Sequence, residues 1–70
     1  MNDVQFDDTL RRHLGRQPFA PFVVELVDGR SILIDQPTLV YGSGAATYGT
    51  QSQDLIFFNC VDVRAIIPAR

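Results

Sequence analysis

Residues 18–34 read PFAPFVVELVDGRSILI, and this stretch predicts a β-hairpin. Two apolar runs rich in β-branched residues flank Asp28-Gly29, a pair that accepts the positive φ angles of a tight turn. Pro18 and Pro21 lack a backbone N–H and favour extended geometry in the residues before them, so we expect the first strand to begin near Phe22. The glycine of the turn is expected to hold a positive φ.

The spacing of the apolar residues selects the register of this hairpin. A two-residue loop would place Leu26 opposite Ser31 and bring polar groups onto the apolar face. A three-residue loop formed by residues 28–30 avoids this and sets Glu25 opposite Leu33. The core face then carries Phe22, Val24, Leu26, Ile32 and Ile34, and the second face carries Val23, Val27 and Leu33. Because the second face is also apolar, we expect the N-terminal helix or a second subunit to cover part of it.

The residues before the hairpin have the spacing of an amphipathic helix over residues 3–15. Its apolar stripe recurs every four residues and consists of Phe6, Leu10 and Leu14. Asp3 is expected to be the N-cap, and Gly15 is expected to adopt a left-handed conformation after the last turn. Two acid–base pairs should support the helix: Asp7 with Arg11 and Asp8 with Arg12. A helix this short is marginal alone, so the stripe must dock on the sheet.

Beyond the hairpin, short apolar segments separated by turn residues indicate further strands. They are residues 39–41, 45–48, 54–59 and 63–67, with a polar loop over 49–53. The first of these segments has the length of either a strand or a single 3₁₀ turn, and we favour a strand. Residues 55–58 are apolar on both sides of the strand and are expected to be buried on both. Pro68 is expected to end the last strand.

One N-terminal helix and about five short antiparallel strands, with no room for crossover helices, predict a mainly β fold. We expect a small SH3-like or Sm-like barrel, because closure of the sheet protects its edges. The length favours a single domain, 1–70, with the helix at 3–15 and the barrel at 19–68. A core this small leaves a stability of roughly a few kcal/mol, which association would increase.

The composition argues against several classes of protein. A net charge of −2 disfavours a generic nucleic-acid binder, which is usually positive. All six basic residues are arginine, so the chain has no phosphate-loop lysine and no Schiff-base lysine. Cys60 is the single cysteine and has no partner for an internal disulfide.

No apolar run approaches the roughly 20 residues of a membrane span. We expect neither a secretory nor a myristoylation signal at Met1-Asn2-Asp3, and a cytoplasmic location.

The hairpin region carries a motif that resembles a group of small bacterial proteins of unknown function. The motif is Arg16-x-Pro18-Phe19-x-Pro21-Phe22, followed by Leu26-x-Asp28-Gly29-Arg30 and Pro37. The group shares an RxPFxPFxxxLxDGR opening and often has arginine and histidine where this chain has Ala20 and Gln36. This resemblance supports the element boundaries and implies no activity. The element order also resembles that of Sm-like proteins, which combine an N-terminal helix with five bent strands and form rings.

The residue types of a thiol nucleophile, a base and an orienting acid are present as Cys60, His13 and Asp62. Nothing in their spacing brings the imidazole near the thiol, and a lone cysteine at the end of an apolar strand is usually a small buried hydrophobe. The helix dipole and the neighbouring arginines explain the carboxylates near His13 better than a metal does. We therefore predict no enzyme, no metal and no cofactor.

A cluster of basic residues lies at the end of the predicted helix and consists of Arg11, Arg12, His13 and Arg16. A solvated face that compensates the helix dipole explains this cluster best, and contact with phosphate is the alternative. Phe19 and Phe22 are expected in the core. Tyr41 and Tyr48, near loops and glycines, are expected to be surface aromatics.

These observations favour a non-catalytic protein-interaction or assembly module. Its apolar strand faces and available strand edges predict a homo-oligomer or binding to another protein, and no small-molecule substrate is indicated. The alternative is a small Sm-like nucleic-acid-binding protein in which arginines of several subunits converge on one surface. Those arginines are Arg11, Arg12, Arg16 and Arg30.

Overall fold

A computed structural model describes residues 1–50 and 52–69 of the chain. The elements are α1 (Asp3–Leu14), β1 (Phe22–Leu26), β2 (Ser31–Ile34), β3 (Val40–Gly42), β4 (Ala45–Gly49), β5 (Leu55–Asn59), a 3₁₀ helix (Cys60–Asp62) and β6 (Val63–Pro68). Gln51, in the predicted polar loop, and Arg70, at the end of the predicted domain, lie outside the described residues. Within the described ranges, no helix has the length and apolar character needed to cross a membrane.

The strands form two antiparallel sheets of three strands each. The order is β2-β1-β6 in the first sheet and β3-β4-β5 in the second. The mainly β fold with one N-terminal helix is therefore confirmed, with six strands in place of the expected five or so. No strand pairing joins the two sheets in the described part of the chain, so closure into an SH3-like or Sm-like barrel stays a prediction.

The core face of the β1–β2 hairpin is as expected from the sequence. β1 begins at Phe22, directly after Pro21. Phe22 lies opposite Ile34, and Val24 lies opposite Ile32. Because residues opposite each other in antiparallel strands share a face, these four side chains point to the same side. Three of them, Phe22, Val24 and Ile34, are fully buried.

The loop of the hairpin has the expected three residues but lies one residue earlier than predicted. Its residues are Val27, Asp28 and Gly29. The Leu26 N–H donates to the carbonyl oxygen of Arg30 at 2.8 Å, and this pair closes the hairpin. Glu25 therefore lies opposite Ser31, and its predicted pairing with Leu33 is wrong. The register differs from the predicted one by two residues, and a shift of two leaves each side chain on its expected face.

The stripe of α1 and the start of the helix follow from local sequence. Phe6 and Leu10 are fully buried and Leu14 is half-buried, so the stripe is confirmed. The N-cap is Asn2, and the prediction of Asp3 is wrong. The Asn2 side chain accepts the Gln5 N–H at 2.8 Å, and the Gln5 side chain accepts the Asn2 N–H at 3.4 Å. This reciprocal capping box satisfies two N–H groups, more than an aspartate one residue later would.

The C-terminal end of α1 differs from the prediction in its glycine and in its charge pairs. Gly15 has a φ of −86° and is not left-handed; its N–H closes the last turn on the Arg11 carbonyl at 3.0 Å. Asp8 pairs with both Arg11 and Arg12, so only the second predicted pair is confirmed. Asp7 instead accepts the N–H of Gly44 at 3.1 Å, which ties the helix to the β3–β4 turn.

The core lies between the two sheets and is closed by α1. Its buried side chains are Phe6, Leu10, Phe22, Val24, Leu26, Ile34, Leu39, Ala46, Tyr48, Phe58 and Val63. Phe6 packs edge-on against Phe58 of β5, with ring centroids 5.9 Å apart. His13 lies against Phe22 of β1, with centroids 4.7 Å apart. The helix therefore contacts both sheets, and each large apolar side chain that it buries contributes about 1.5–3 kcal/mol.

The second sheet corrects one expectation and confirms another. Segment 39–41 does form a strand, displaced by one residue to Val40–Gly42. β5 was expected to be buried on both faces, but only Phe58 is fully inside. Leu55 and Phe57 on its other face are exposed. β5 consequently has one core face and one apolar face directed outward.

Candidate interaction surface

The structure does not bring the candidate base His13 near the candidate nucleophile Cys60. The N–H of Cys60 donates to the carbonyl oxygen of Gly44 at 2.7 Å, and a Cβ at Gly44 would lie 2.9 Å from the Cβ of Asp3. Cys60 is thus beside the first residue of α1, whereas His13 is ten residues further along the helix, about 15 Å at 1.5 Å per residue. No group of three potential metal ligands occurs among the described residues.

His13 packs its aromatic ring against the first sheet. Burial lowers the pKa of His13 from its usual value, and the charges of Arg16 and Arg12 lower it further. Its Nδ1 atom is buried and has no hydrogen-bond partner within the described ranges. The face of the ring lies against Phe22. His13 therefore carries less positive charge near neutral pH than an ordinary histidine.

The four candidate nucleic-acid-binding arginines occupy two separate places in the protomer. Arg11 and Arg12 share the carboxylate of Asp8, and Arg16 follows the helix and is exposed. Arg30 pairs with Asp28 beside the hairpin loop, with 2.7 Å between Nε and Oδ2. The helix end is near Phe22 at the start of β1, and Arg30 pairs with Leu26 at its end. Five strand residues separate these ends by about 13 Å.

The two tyrosines differ in burial, and only Tyr48 departs from its expected place at the surface. Tyr48 is 2% exposed and belongs to the core, so its prediction as a surface aromatic is wrong. Its hydroxyl donates to Oδ1 of Asp35 at 2.6 Å. Burial and this hydrogen bond raise the pKa of Tyr48. Tyr41 is half-buried beside α1, in a shallow groove of about 400 Å³. Phe22 is buried and Phe19 packs against it, as expected.

The outer side of the second sheet carries an apolar surface, here called the β5 face and made of Val40, Leu55 and Phe57. Val40 and Phe57 lie in one row, on either side of Thr47. Val40 is 71% exposed and Phe57 is 72% exposed. β5 pairs only with β4 within the described residues, so its other edge has unpaired backbone groups. An exposed phenylalanine on an open strand edge is a feature of interaction surfaces.

A smaller apolar row crosses the outer side of the first sheet. Leu33, Val23 and Ile67 lie side by side on β2, β1 and β6. Leu33 is 54% exposed and Ile67 is 41% exposed. The helix was expected to cover part of this side, but its buried residues Phe6 and Leu10 pack in the core on the opposite side. The other expectation, that a second subunit covers this side, stays a prediction.

A cleft separates the hairpin loop from β5 and the 3₁₀ helix. It has a volume of about 180 Å³ and is lined by Leu26, Val27, Asp28, Arg30, Phe57, Phe58 and Asp62. The Val27 N–H donates to the Asp62 carbonyl oxygen at 2.9 Å and holds the two walls together. The cleft continues the β5 face, because both contain Phe57.

Sequence reasoning assigned Phe57 to the core and therefore missed the surface on which it lies. The available signal was the apolar character of both sides of residues 55–58. Comparison with protein-family models, with curated proteins and with solved structures finds no match to this chain.

Proposed function

We propose that this protein is a non-catalytic interaction module that assembles with copies of itself through the β5 face. The observation that carries the proposal is Phe57, whose side chain is 72% exposed on an edge strand next to exposed Leu55. Burying a large apolar side chain contributes about 1.5–3 kcal/mol, so a contact that covers this face gains more than one such increment.

The small size of the domain gives association a second advantage. The small core of a 70-residue chain leaves a net stability of roughly a few kcal/mol. Binding of a second copy to the folded state alone adds to that stability by mass action. Self-association is therefore a means by which a chain with a limited core increases its resistance to unfolding.

The finer architecture that we propose is an SH3-like or Sm-like barrel made of the two sheets. Both sheets contribute to one core, and α1 packs against each of them. Tyr48 of the second sheet bonds to Asp35, which directly follows β2 of the first sheet. Sm-like proteins form rings, so an analogy at the level of the fold agrees with self-assembly.

The proposal is tested by comparing two serine substitutions with sedimentation velocity. Phe57→Ser removes the ring from the β5 face, and we expect it to shift the protein toward the monomer. Leu33→Ser is the matched control, because it also replaces an exposed apolar residue on an edge strand, but in the first sheet. We expect Leu33→Ser to sediment like the wild type. Equal sedimentation of Phe57→Ser and wild type would reject the β5 face as the contact.

The alternative function, binding of single-stranded nucleic acid, receives less support from the charges. Arg11, Arg12 and Arg30 each pair with a carboxylate of the same protomer. Fluorescence anisotropy with single-stranded RNA and DNA at about 50 mM salt, where phosphate contacts are strong, tests this alternative directly. Salt-sensitive binding that is lost in Arg16→Ala would favour it over the assembly proposal.

A further inference from the structure

The cleft beside the hairpin loop has the features of a site for a single cationic side chain. Phe57, whose side chain is 72% exposed, and the exposed acidic residue Asp62 are both among its lining residues. Its volume of about 180 Å³ is below the range of about 300–1,000 Å³ that is typical for pockets of small-molecule ligands. A guanidinium group stacks on aromatic faces and pairs with carboxylates, so arginine suits a cleft lined by Phe57 and Asp62.

The charges in the cleft leave one acidic group available. Arg30 pairs with Asp28 through a bond of 2.7 Å, and this pair is neutral as a unit. Asp62 is exposed and makes no ion pair within the described part of the chain. Its backbone is fixed by the hydrogen bond from Val27, so the carboxylate is held on a constrained segment. The cleft is therefore complementary to an added positive charge and not to a phosphate.

The end of α1 offers that positive charge. Arg11 and Arg12 share one carboxylate, that of Asp8. Arg16 lies just beyond Gly15, is exposed, and has no ion-pair partner among the described residues. This helix end is near the start of β1, whereas the cleft is at the end of β1. The two surfaces thus lie at opposite ends of one strand, and a head-to-tail contact between copies joins two such different surfaces.

We propose that the cleft receives the end of α1 from a second copy of this chain, with the guanidinium of Arg16 over the Phe57 ring and paired with the Asp62 carboxylate. The inference rests on the proposed self-assembly and names the two surfaces that meet. A head-to-tail contact leaves one cleft and one helix end free in each dimer. Further copies add until a ring closes, or a filament grows if the rotation between copies does not close.

The experiment is a charge exchange between the two surfaces, measured by sedimentation equilibrium of the full chain. Arg16→Glu places two carboxylates against each other, and Asp62→Arg places two guanidinium groups against each other. We expect each single variant to weaken self-association by about 10-fold or more. The double variant Arg16→Glu/Asp62→Arg recreates an opposite pair and should regain association to within about 3-fold of wild type. A purely structural effect of either substitution would not be reversed by the other.

Asp54→Arg is the matched control, since it makes the same change of charge at another exposed aspartate. It should associate like the wild type, and raising the salt concentration should weaken wild-type association. Single variants that associate like the wild type, a double variant that stays dissociated, or an Asp54→Arg variant as weak as Asp62→Arg would each overturn the proposed contact while leaving self-assembly intact. A wild-type chain that is monomeric throughout would instead reject the proposed function itself.

Discussion

The hydroxyl of Tyr48 and the backbone and side chain of Asp35 form a two-way hydrogen-bonded link between the sheets. Tyr48 donates to Oδ1 of Asp35 at 2.6 Å and accepts the Asp35 N–H at 3.3 Å. Tyr48 belongs to β4 of the second sheet, and Asp35 directly follows β2 of the first. The link therefore joins two sheets that share no strand pairing within the described residues.

We expect Tyr48→Phe to destabilise the protein by about 1–2 kcal/mol, because it removes a hydrogen bond to a charged group and leaves the Asp35 N–H without its partner. Tyr41→Phe is the control. The Tyr41 hydroxyl makes no hydrogen bond within the described ranges, so its loss should change stability by less than about 0.5 kcal/mol. Urea unfolding at neutral pH measures both variants. Equal midpoints for the two would show that the link between the sheets is not stabilising.

Two glycines with positive φ should respond differently to alanine. Gly29 has a φ of 94° and open space around it, so Gly29→Ala should cost only the backbone strain of about 1 kcal/mol. Gly44 has a φ of 82°, and a Cβ there would lie 2.9 Å from the Cβ of Asp3 and 3.1 Å from Sγ of Cys60. Gly44→Ala adds a steric clash to the strain, for a total of about 2–4 kcal/mol.

Thermal melts of the two glycine variants provide the comparison. In a domain of this size a loss of about 1 kcal/mol lowers the midpoint by roughly 4–8 °C, so Gly44→Ala should melt well below Gly29→Ala. The Gly44 variant should also lose part of its helical circular dichroism, because the clash separates α1 from the β3–β4 turn. A Gly44→Ala protein with the same melting temperature as Gly29→Ala would contradict the close approach of α1 and the β3–β4 turn.

The lowered pKa of His13 predicts a loss of stability in mildly acidic solution. The unfolded chain binds a proton at His13 near pH 6.5, and the folded protein binds it only at lower pH. As the pH falls below 6.5, the unfolded state takes up the proton first, so the free energy of unfolding decreases until the folded pKa is passed. Well above pH 6.5, His13 is neutral in both the folded and the unfolded state and contributes no pH dependence.

His13→Phe isolates this effect, because it keeps an aromatic ring against Phe22 and removes the titrating group. Urea unfolding at several values between about pH 5 and pH 8, the range in which an ordinary histidine titrates, should give a shallower pH dependence for the variant than for the wild type. The carboxylates titrate in both proteins and cancel in the comparison. Parallel pH profiles would show that His13 titrates alike in the folded and unfolded chains.

Local patterns account for the parts of the fold that sequence reasoning placed correctly. The four-residue spacing of Phe6 and Leu10 and the prolines before Phe22 each act over a few residues, so helix, hairpin and core face could be predicted. The N-cap was predicted at Asp3 but is Asn2. The difference is one residue, and it depends on Gln5, which lies three positions after Asn2 and completes the capping box. The hairpin loop was predicted one residue too late. Its position is set by the hydrogen bond between Leu26 and Arg30, whereas the alternation of side chains along the strands is the same for the predicted and the observed loop.

The candidate surface was harder to predict because it depends on which apolar residues are left outside. Leu55, Ile56, Phe57 and Phe58 are all apolar, and their order alone does not show whether a strand is covered on one face or on two. The core of this small domain is filled by one face of each sheet and by α1, so the second face of β5 has nothing to cover it within the chain. The burial of Tyr48 was missed for a similar reason, because its hydroxyl and Asp35 come within hydrogen-bond distance only in the folded chain.

The most direct test of self-assembly is the mass of the wild-type protein in solution as a function of concentration. Sedimentation equilibrium should give a weight-average mass above the 7.8 kDa of the single chain, rising with concentration toward a multiple of it. We expect this rise within the micromolar range, about 1–100 µM, in keeping with a contact built on a few large side chains. A mass that stays at 7.8 kDa over the whole of that range of about 1–100 µM would contradict the account.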